Sequence, residues 1–230
     1  MSGIFFDSAN LVEFKKWFNT GILGGATTNP VILQKDGVFN IPEHIGKMIE
    51  ICGPYFPISI EVPDSEMTKK EMISLAIKYR DVFPDNAVVK IPLDPRNSQK
   101  ALEVIQELVA NNIDVNATLG ITSGQLISAM EAGADYVSLF WGRCEEAGGI
   151  GAEETLKTIL KYRETHNKQS KIIIGSIRTV EQIDKAFSLG ADIVTIKPEL
   201  LEKWMFTQRG VETAEEFNEA YRSIKDKVTL

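Results

Sequence analysis

Cysteine and histidine are scarce in this chain, with two of each among 230 residues. Cys52 and Cys144 lie far apart and form no CxxC pair, so neither a disulfide framework nor a thiolate zinc site is supported. His44 and His166 sit in polar, helix-like surroundings that read as surface, which removes histidine triads and histidine metal sites together. Basic charge is also in deficit: 25 Lys and Arg stand against 32 Asp and Glu, a formal charge of -7. That balance argues against a nucleic-acid partner, while leaving room for a local basic pocket around a small anion. No apolar run reaches the ~18 residues of a membrane span, and the start shows no charged-then-apolar signal pattern. A cytoplasmic protein without a membrane partner is the expectation. No Pro/Gly/Ser-rich linker, low-complexity tract or block of like charge divides the sequence, so one domain over 1–230 is expected.

Short apolar runs alternate with longer amphipathic segments along the whole length, the pattern of parallel strands joined by helices. Eight strand candidates can be read: Gly3 to Phe6, Gly24 to Thr27, Ile58 to Val62, Ala87 to Ile91, Asp114 to Ala117, Tyr136 to Leu139, Lys171 to Gly175 and Asp192 to Ile196. Helical patterns cover Leu11 to Phe18, Lys69 to Phe83, Ser98 to Asn111, Ser123 to Ala132, Glu153 to Thr165 and Val180 to Leu189. Two helices end in the same phrase, EAGAD at Glu131 to Asp135 and SLGAD at Ser188 to Asp192, with a glycine placed to cap the helix and turn the chain. Eight equivalent units in this length fit a (β/α)8 barrel, with an open doubly wound sheet as the alternative. A further helix over 212–227 follows the eighth unit, placed to cover a barrel end or to reach a neighbouring subunit.

Within this pattern one residue is out of place. Lys90 stands in the middle of VVKIP, Val88 to Pro92, where a strand buried on both faces excludes an ammonium unless it is paired or gives up its proton. An unprotonated lysine amine is the nucleophile that turns a ketone into a Schiff base. ISIEV places Glu61 in the matching position one strand earlier. In a barrel the chemistry collects where the strands end, and those ends supply Asp7; Thr27, Thr28 and Asn29; Glu61; Lys90; Asn116 and Thr118; Ser138 and Arg143; Ser176 and Arg178; and Lys197. Taken singly, Asp7, Thr28 and similar residues serve equally well as helix caps. Lys197 also follows an apolar strand, but the proline after it puts it at the rim, and Lys90 is preferred as the amine.

FFDSAN, GATTNP, VVKIP, VNATL, ADYVSLFWGR and GSIR run in one order from Phe5 to about Lys197. This series resembles the motifs of the class I transaldolase family, in its small single-domain branch that also contains fructose-6-phosphate aldolases. The resemblance implies that Lys90 forms the Schiff base and that Asp7 handles the hydroxyl beside the cleaved bond. It implies that Glu61 and Thr118 hold a proton-shuttling water, that Asn29, Asn116 and Ser138 hold the dihydroxyacetone hydroxyls with Thr27 nearby, and that Arg143, Ser176 and Arg178 grip an anionic tail. Neither a cofactor nor a metal is called for. A ring-like homo-oligomer, a decamer or pentamer, with the last helix on a neighbour, is also implied; Trp204, Met205 and Phe206 would suit an interface.

Two positions bear on the reaction. Glu61 and Phe140 match the transaldolases of the branch, where the dihydroxyacetone-releasing aldolases carry glutamine and tyrosine. SLFWGR departs from the family pattern at Leu139 and Trp141, so Trp141 either packs in the core or reshapes the tail pocket beside Arg143. In the second case the tail could be a sulfonate, as in relatives acting on 6-deoxy-6-sulfofructose, in place of a phosphate. A simple aldolase and a barrel that binds sugar phosphates without turnover stay open as rival readings.

Overall fold

The computed structural model describes residues 3–227, so the ends of the expected 1–230 span lie outside the described residues. Eight parallel strands close into a barrel in sequence order: β1 (Ile4–Phe6), β2 (Gly25–Thr27), β3 (Ile58–Glu61), β4 (Ala87–Pro92), β5 (Val115–Gly120), β6 (Tyr136–Phe140), β7 (Lys171–Gly175) and β8 (Ile193–Ile196). Pairing of β1 with β8, Phe6 beside Ile196, closes the ring and removes the open-sheet alternative. The helices are α1 (Leu11–Phe18), α2 (Pro30–Lys35), α3 (Ile41–Cys52), α4 (Lys69–Val82), α5 (Ser98–Ala110), α6 (Ser123–Glu131), α7 (Trp141–Ala147), α8 (Gly151–Thr165), α9 (Val180–Leu189), α10 (Pro198–Met205) and α11 (Gln208–Ile224).

The shared phrase before β6 and β8 does two jobs. Gly133 and Gly190 take φ of 94° and 97°, the left-handed region open to glycine, and so end α6 and α9. The aspartates that follow stitch strands together: Asp135 Oδ2 accepts from Val115 N at 2.8 Å and Asp192 Oδ2 from Ile172 N at 2.7 Å. Each carboxylate thereby satisfies an amide at the start of the preceding strand.

Side-chain alternation divides the core in two. Val89 and Ile91 of β4 face outward into the large cluster between strands and helices, with Val104 and Leu126 among its members. Val88 faces the barrel axis, where it joins Phe5, Tyr136, Ile173 and Ile193 in an apolar plug. Gly25 makes that plug fit, since a Cβ there would lie 2.4 Å from the Phe5 ring. The plug fills the axis near the N-terminal ends of the strands, so the inward positions one layer higher form the floor of the opposite mouth. Those positions include Lys90.

Four helices escaped the sequence reading, each for a local reason. α2 and α10 open on Pro30 and Pro198, and a proline in the first helical turn looks like a turn in TTNP or IKP. α3 also carries a first-turn proline, Pro42. α7 begins at Trp141 directly after the last residue of β6, so SLFWGR reads as one extended run. The final helix starts at Gln208, before the expected Glu212, and ends in a single 3-10 turn over Lys225–Lys227. None of its residues is buried.

Candidate active site

Lys90 points into the barrel with a side chain 4% exposed, and its Nζ lies 2.9 Å from Glu61 Oε2, itself 9% exposed. The strand register explains the meeting, because Glu61 is the direct partner of Lys90 across β3 and β4. Lys90 Nζ also donates to the Thr28 carbonyl at 2.8 Å. Of the two ways to keep a lysine there, the structure shows the paired one: the amine lies against a carboxylate partner in the interior. The contact is short enough for a proton to pass directly between the two groups. The arrangement thus holds an amine and a carboxylate within one hydrogen bond.

Asp7 follows β1 at the mouth and is fixed at its backbone by Asp7 N donating to Ile196 O at 3.0 Å. Thr27 Oγ1 donates to Asp7 Oδ1 at 2.8 Å and meets Thr195 Oγ1 at 2.5 Å. Since the single Thr27 proton is committed to the carboxylate, Thr195 is the donor to Thr27. Burial pushes the Asp7 carboxyl above the usual carboxylate range, while the Thr27 hydroxyl and the charges of Lys90 and Lys197 pull it back. A carboxyl raised in this way is suited to accepting and returning a proton. Lys197 itself is exposed at the N-cap of α10, the rim position expected of it.

The facing wall is a chain of neutral groups. Ser138 Oγ donates to Asn116 Oδ1 at 2.7 Å, and Asn116 Nδ2 donates to Ser59 Oγ at 3.2 Å. Asn116 is the register partner of Lys90, so this chain begins beside the amine. Between Ala117 and Gly120 the register against β6 shifts, and Leu119 takes a left-handed φ of 60°. Such a bulge re-aims the side chains on either side of it. Thr118 Oγ1 lies there fully buried with no hydrogen-bond partner among the described residues, a polar atom that calls for one.

Above this floor, Arg143 of α7 and Arg178 after β7 approach each other at the rim. Both pair with Glu146: Arg143 Nη1 lies 3.3 Å from Oε2, and Arg178 Nη2 contacts Oε1. Gly142 gives Arg178 its path, since a Cβ there would lie 2.6 Å from Arg178 Nε and 2.7 Å from Ser176 O. Ser176, with φ of 57°, carries the chain through that turn.

Residues 4–229 match the family model described as Transaldolase/Fructose-6-phosphate aldolase. The chain belongs to that family. Among its relatives, a protein named "Probable transaldolase" from Clostridium kluyveri (strain ATCC 8527) is 34% identical over 229 residues, 97% of this chain and 99% of its own. Namesakes from Bartonella quintana and from Exiguobacterium sp. (strain AT1b) are 32% and 31% identical, covering 91% and 90% of this chain and 93% of each of theirs.

With transaldolase/aldolase membership in hand, the expected residues can be sorted by place. Lys90, Glu61, Asp7, Thr27, Asn116, Thr118 and Ser138 line the mouth or its floor, while Arg143, Ser176 and Arg178 lie on one sector of the rim. Asn29 caps α2, its Oδ1 accepting from Ile32 N at 2.9 Å. Phe140 stands beside Gly175, 3.7 Å from where that residue's Cβ would be. Trp141 goes elsewhere: it is buried in the cluster between strands and helices, in keeping with the packing alternative. Two positions apart on one helix, it and Arg143 do not share a face. Ser59, Thr195 and Glu146 complete the network and were not singled out from sequence. A cavity of about 460 Å³ also opens near Asp114 and Lys171, at the N-terminal end of the barrel, and none of the family's site residues lines it.

Proposed function

We propose that this protein is a Schiff-base transaldolase, moving a dihydroxyacetone unit from a ketose with an anionic tail to an aldose acceptor. Fructose 6-phosphate and sedoheptulose 7-phosphate are the donor type, and glyceraldehyde 3-phosphate the acceptor type. The observation that carries this reading is the buried contact between Lys90 and Glu61 beside Asp7.

Glu61 takes a proton from Lys90, and the freed amine adds to the donor ketone. Glu61 returns the proton to the carbinolamine oxygen, which leaves as water, and an iminium forms. Asp7 removes the proton from the hydroxyl two carbons from the iminium carbon, on the far side of the bond to be cleaved. The C–C bond then breaks, its electron pair neutralises the iminium as an enamine, and the shortened aldose departs. Addition of the enamine carbon to the acceptor aldehyde, with Asp7 giving its proton to the new alkoxide, runs the sequence backwards, and hydrolysis frees Lys90. Asn116, Ser138, Asn29 and Thr27 would hold the hydroxyls of the transferred unit, and Thr118 a water beside Glu61. Arg143, Ser176 and Arg178 would hold the tail, phosphate or sulfonate.

Phe140 supports transfer over release. It has no acidic proton to give the enamine carbon, so the enamine waits for an acceptor. Replacing Phe140 with tyrosine places a phenol there, and free dihydroxyacetone formed without acceptor is expected to rise roughly 10²-fold, the lower end of general-acid effects. The reading itself is tested by incubating the protein with donor, with and without acceptor, and by borohydride reduction. A reduced adduct and acceptor-dependent product are expected; rapid accumulation of dihydroxyacetone by the unaltered protein would make it an aldolase instead.

α11 supports a homo-oligomer. Phe217, Tyr221 and Ile224 are exposed on it at helical spacing, and Met205 and Phe206 are exposed just before it. Trp204 beside them is partly buried, its ring stacking on Phe187 and its Nε1 donating to Asp184 Oδ1 at 2.7 Å. Truncation after Phe206 is expected to convert a multimer into smaller species in sedimentation while the barrel stays folded. An unchanged sedimentation coefficient per residue would remove the role given to α11.

A further inference from the structure

Glu146 sits where the transaldolase reading puts the tail of the donor. One carboxylate oxygen meets Arg143 and the other Arg178, so the two cations of the tail site are bridged by a built-in anion. The arrangement comes from two elements. α7 carries Arg143 and Glu146 three residues apart, hence on one face. Arg178 arrives from the far side, steadied by its backbone amide donating to Gln182 Oε1 at 2.8 Å and lying over Gly142. The hydrogen bond from Arg178, with the charges of Arg178 and Arg143, holds the Glu146 carboxyl below the usual carboxylate range, so it is ionised at neutral pH.

The charge of the trio follows: two guanidinium groups and one carboxylate leave a single net positive charge. A tail with one negative charge brings the cluster to neutrality. A dianionic tail overshoots it, and its second charge faces Glu146 across the shared guanidinium groups. Both arginines and Glu146 are about half exposed, so the penalty is the screened one. For one extra unit of like charge at ~5 Å in a water-like medium it amounts to roughly a fourfold change in binding, and more where solvent is displaced.

We infer that Glu146 is a specificity-determining residue that tunes the tail site to a monoanion and disfavours a dianion. This rests on the Schiff-base reading above, with Arg143 and Arg178 facing the donor tail. Three ketoses of one skeleton separate the charge states: fructose 6-phosphate at pH 8, 6-deoxy-6-sulfofructose, and fructose. With uncharged glyceraldehyde as acceptor, kcat/KM is measured for the full-length protein, for Glu146→Gln and for the charge-keeping Glu146→Asp. Glu146→Gln is expected to raise the ratio of phosphate to sulfonate donor about fourfold or more, while Glu146→Asp keeps the original ratio. A ratio that is unchanged or lower in Glu146→Gln, or raised equally in Glu146→Asp, overturns the inference even if both rates fall together. Borohydride reduction of the unaltered protein with each ketose separates the two levels of argument. If no adduct forms on Lys90, the catalytic reading fails; if it forms and the ratio stays put, only the role of Glu146 fails.

Discussion

Lys90→Ala is expected to form no borohydride-stable adduct with any ketose donor and to lose transfer activity by on the order of 10⁴-fold or more, as removal of a covalent nucleophile does elsewhere. The argument is one of position. Lys90 Nζ lies inside the ring of strands within 2.9 Å of a carboxylate that can take and return its proton. Lys197, the other lysine placed after an apolar strand, is exposed at the N-cap of α10 and faces Asp7 from the rim. Peptide mass analysis after reduction decides between them: the three-carbon adduct should map to the peptide holding Lys90 and persist in Lys197→Ala. An adduct that survives in Lys90→Ala would transfer the nucleophile to another amine.

Much of this candidate site is legible in the sequence, because inward positions in a barrel strand recur every second residue. Lys90 and Glu61 betray themselves as charges inside apolar runs, and the closed register makes them neighbours. The same alternation, carried one step back, leads from Glu61 to Ser59 and from Lys197 to Thr195, hydroxyls that complete the two inner networks. Attention to strand ends alone passes over them. Glu146 was less accessible. In CEEAGG it looks like the solvated end of a surface helix, and only the placement of α7 against the loop after β7 turns it toward Arg178. Trp141 left two readings open in sequence, core packing or the tail pocket, and the change from strand to helix at that residue sends its ring into the core. The network around Asp7 needed three strands at once, with Thr27 of β2 donating to it and Thr195 of β8 bonded to Thr27 in turn.

The second large effect is expected at Glu61, where stability and catalysis can be separated by substitution. Glu61→Gln keeps the shape of the side chain and removes its basicity, so transfer should fall ~10²–10⁴-fold, the range for loss of a general acid/base. Glu61→Leu goes further by leaving Lys90 with only the Thr28 carbonyl as a hydrogen-bond partner among the described residues. Removing one member of a buried pair strands the other charge in a medium that solvates it poorly, at a cost of ~3–5 kcal/mol. Urea unfolding should show that loss as a lower midpoint with an unchanged slope. Combining Glu61→Leu with Lys90→Met removes both charges and returns the space to apolar packing, continuous with the Val88 and Phe5 plug beneath. The double variant should regain most of the lost stability, and it can exceed the original protein, because a well-packed apolar pair avoids the desolvation that the ions suffer. It should also be inactive. If the two substitutions instead destabilise additively, the Lys90–Glu61 contact is not the energetic unit the geometry describes. Recovery of stability without activity would mean that the ion pair is retained for its chemistry, at the expense of the fold that holds it.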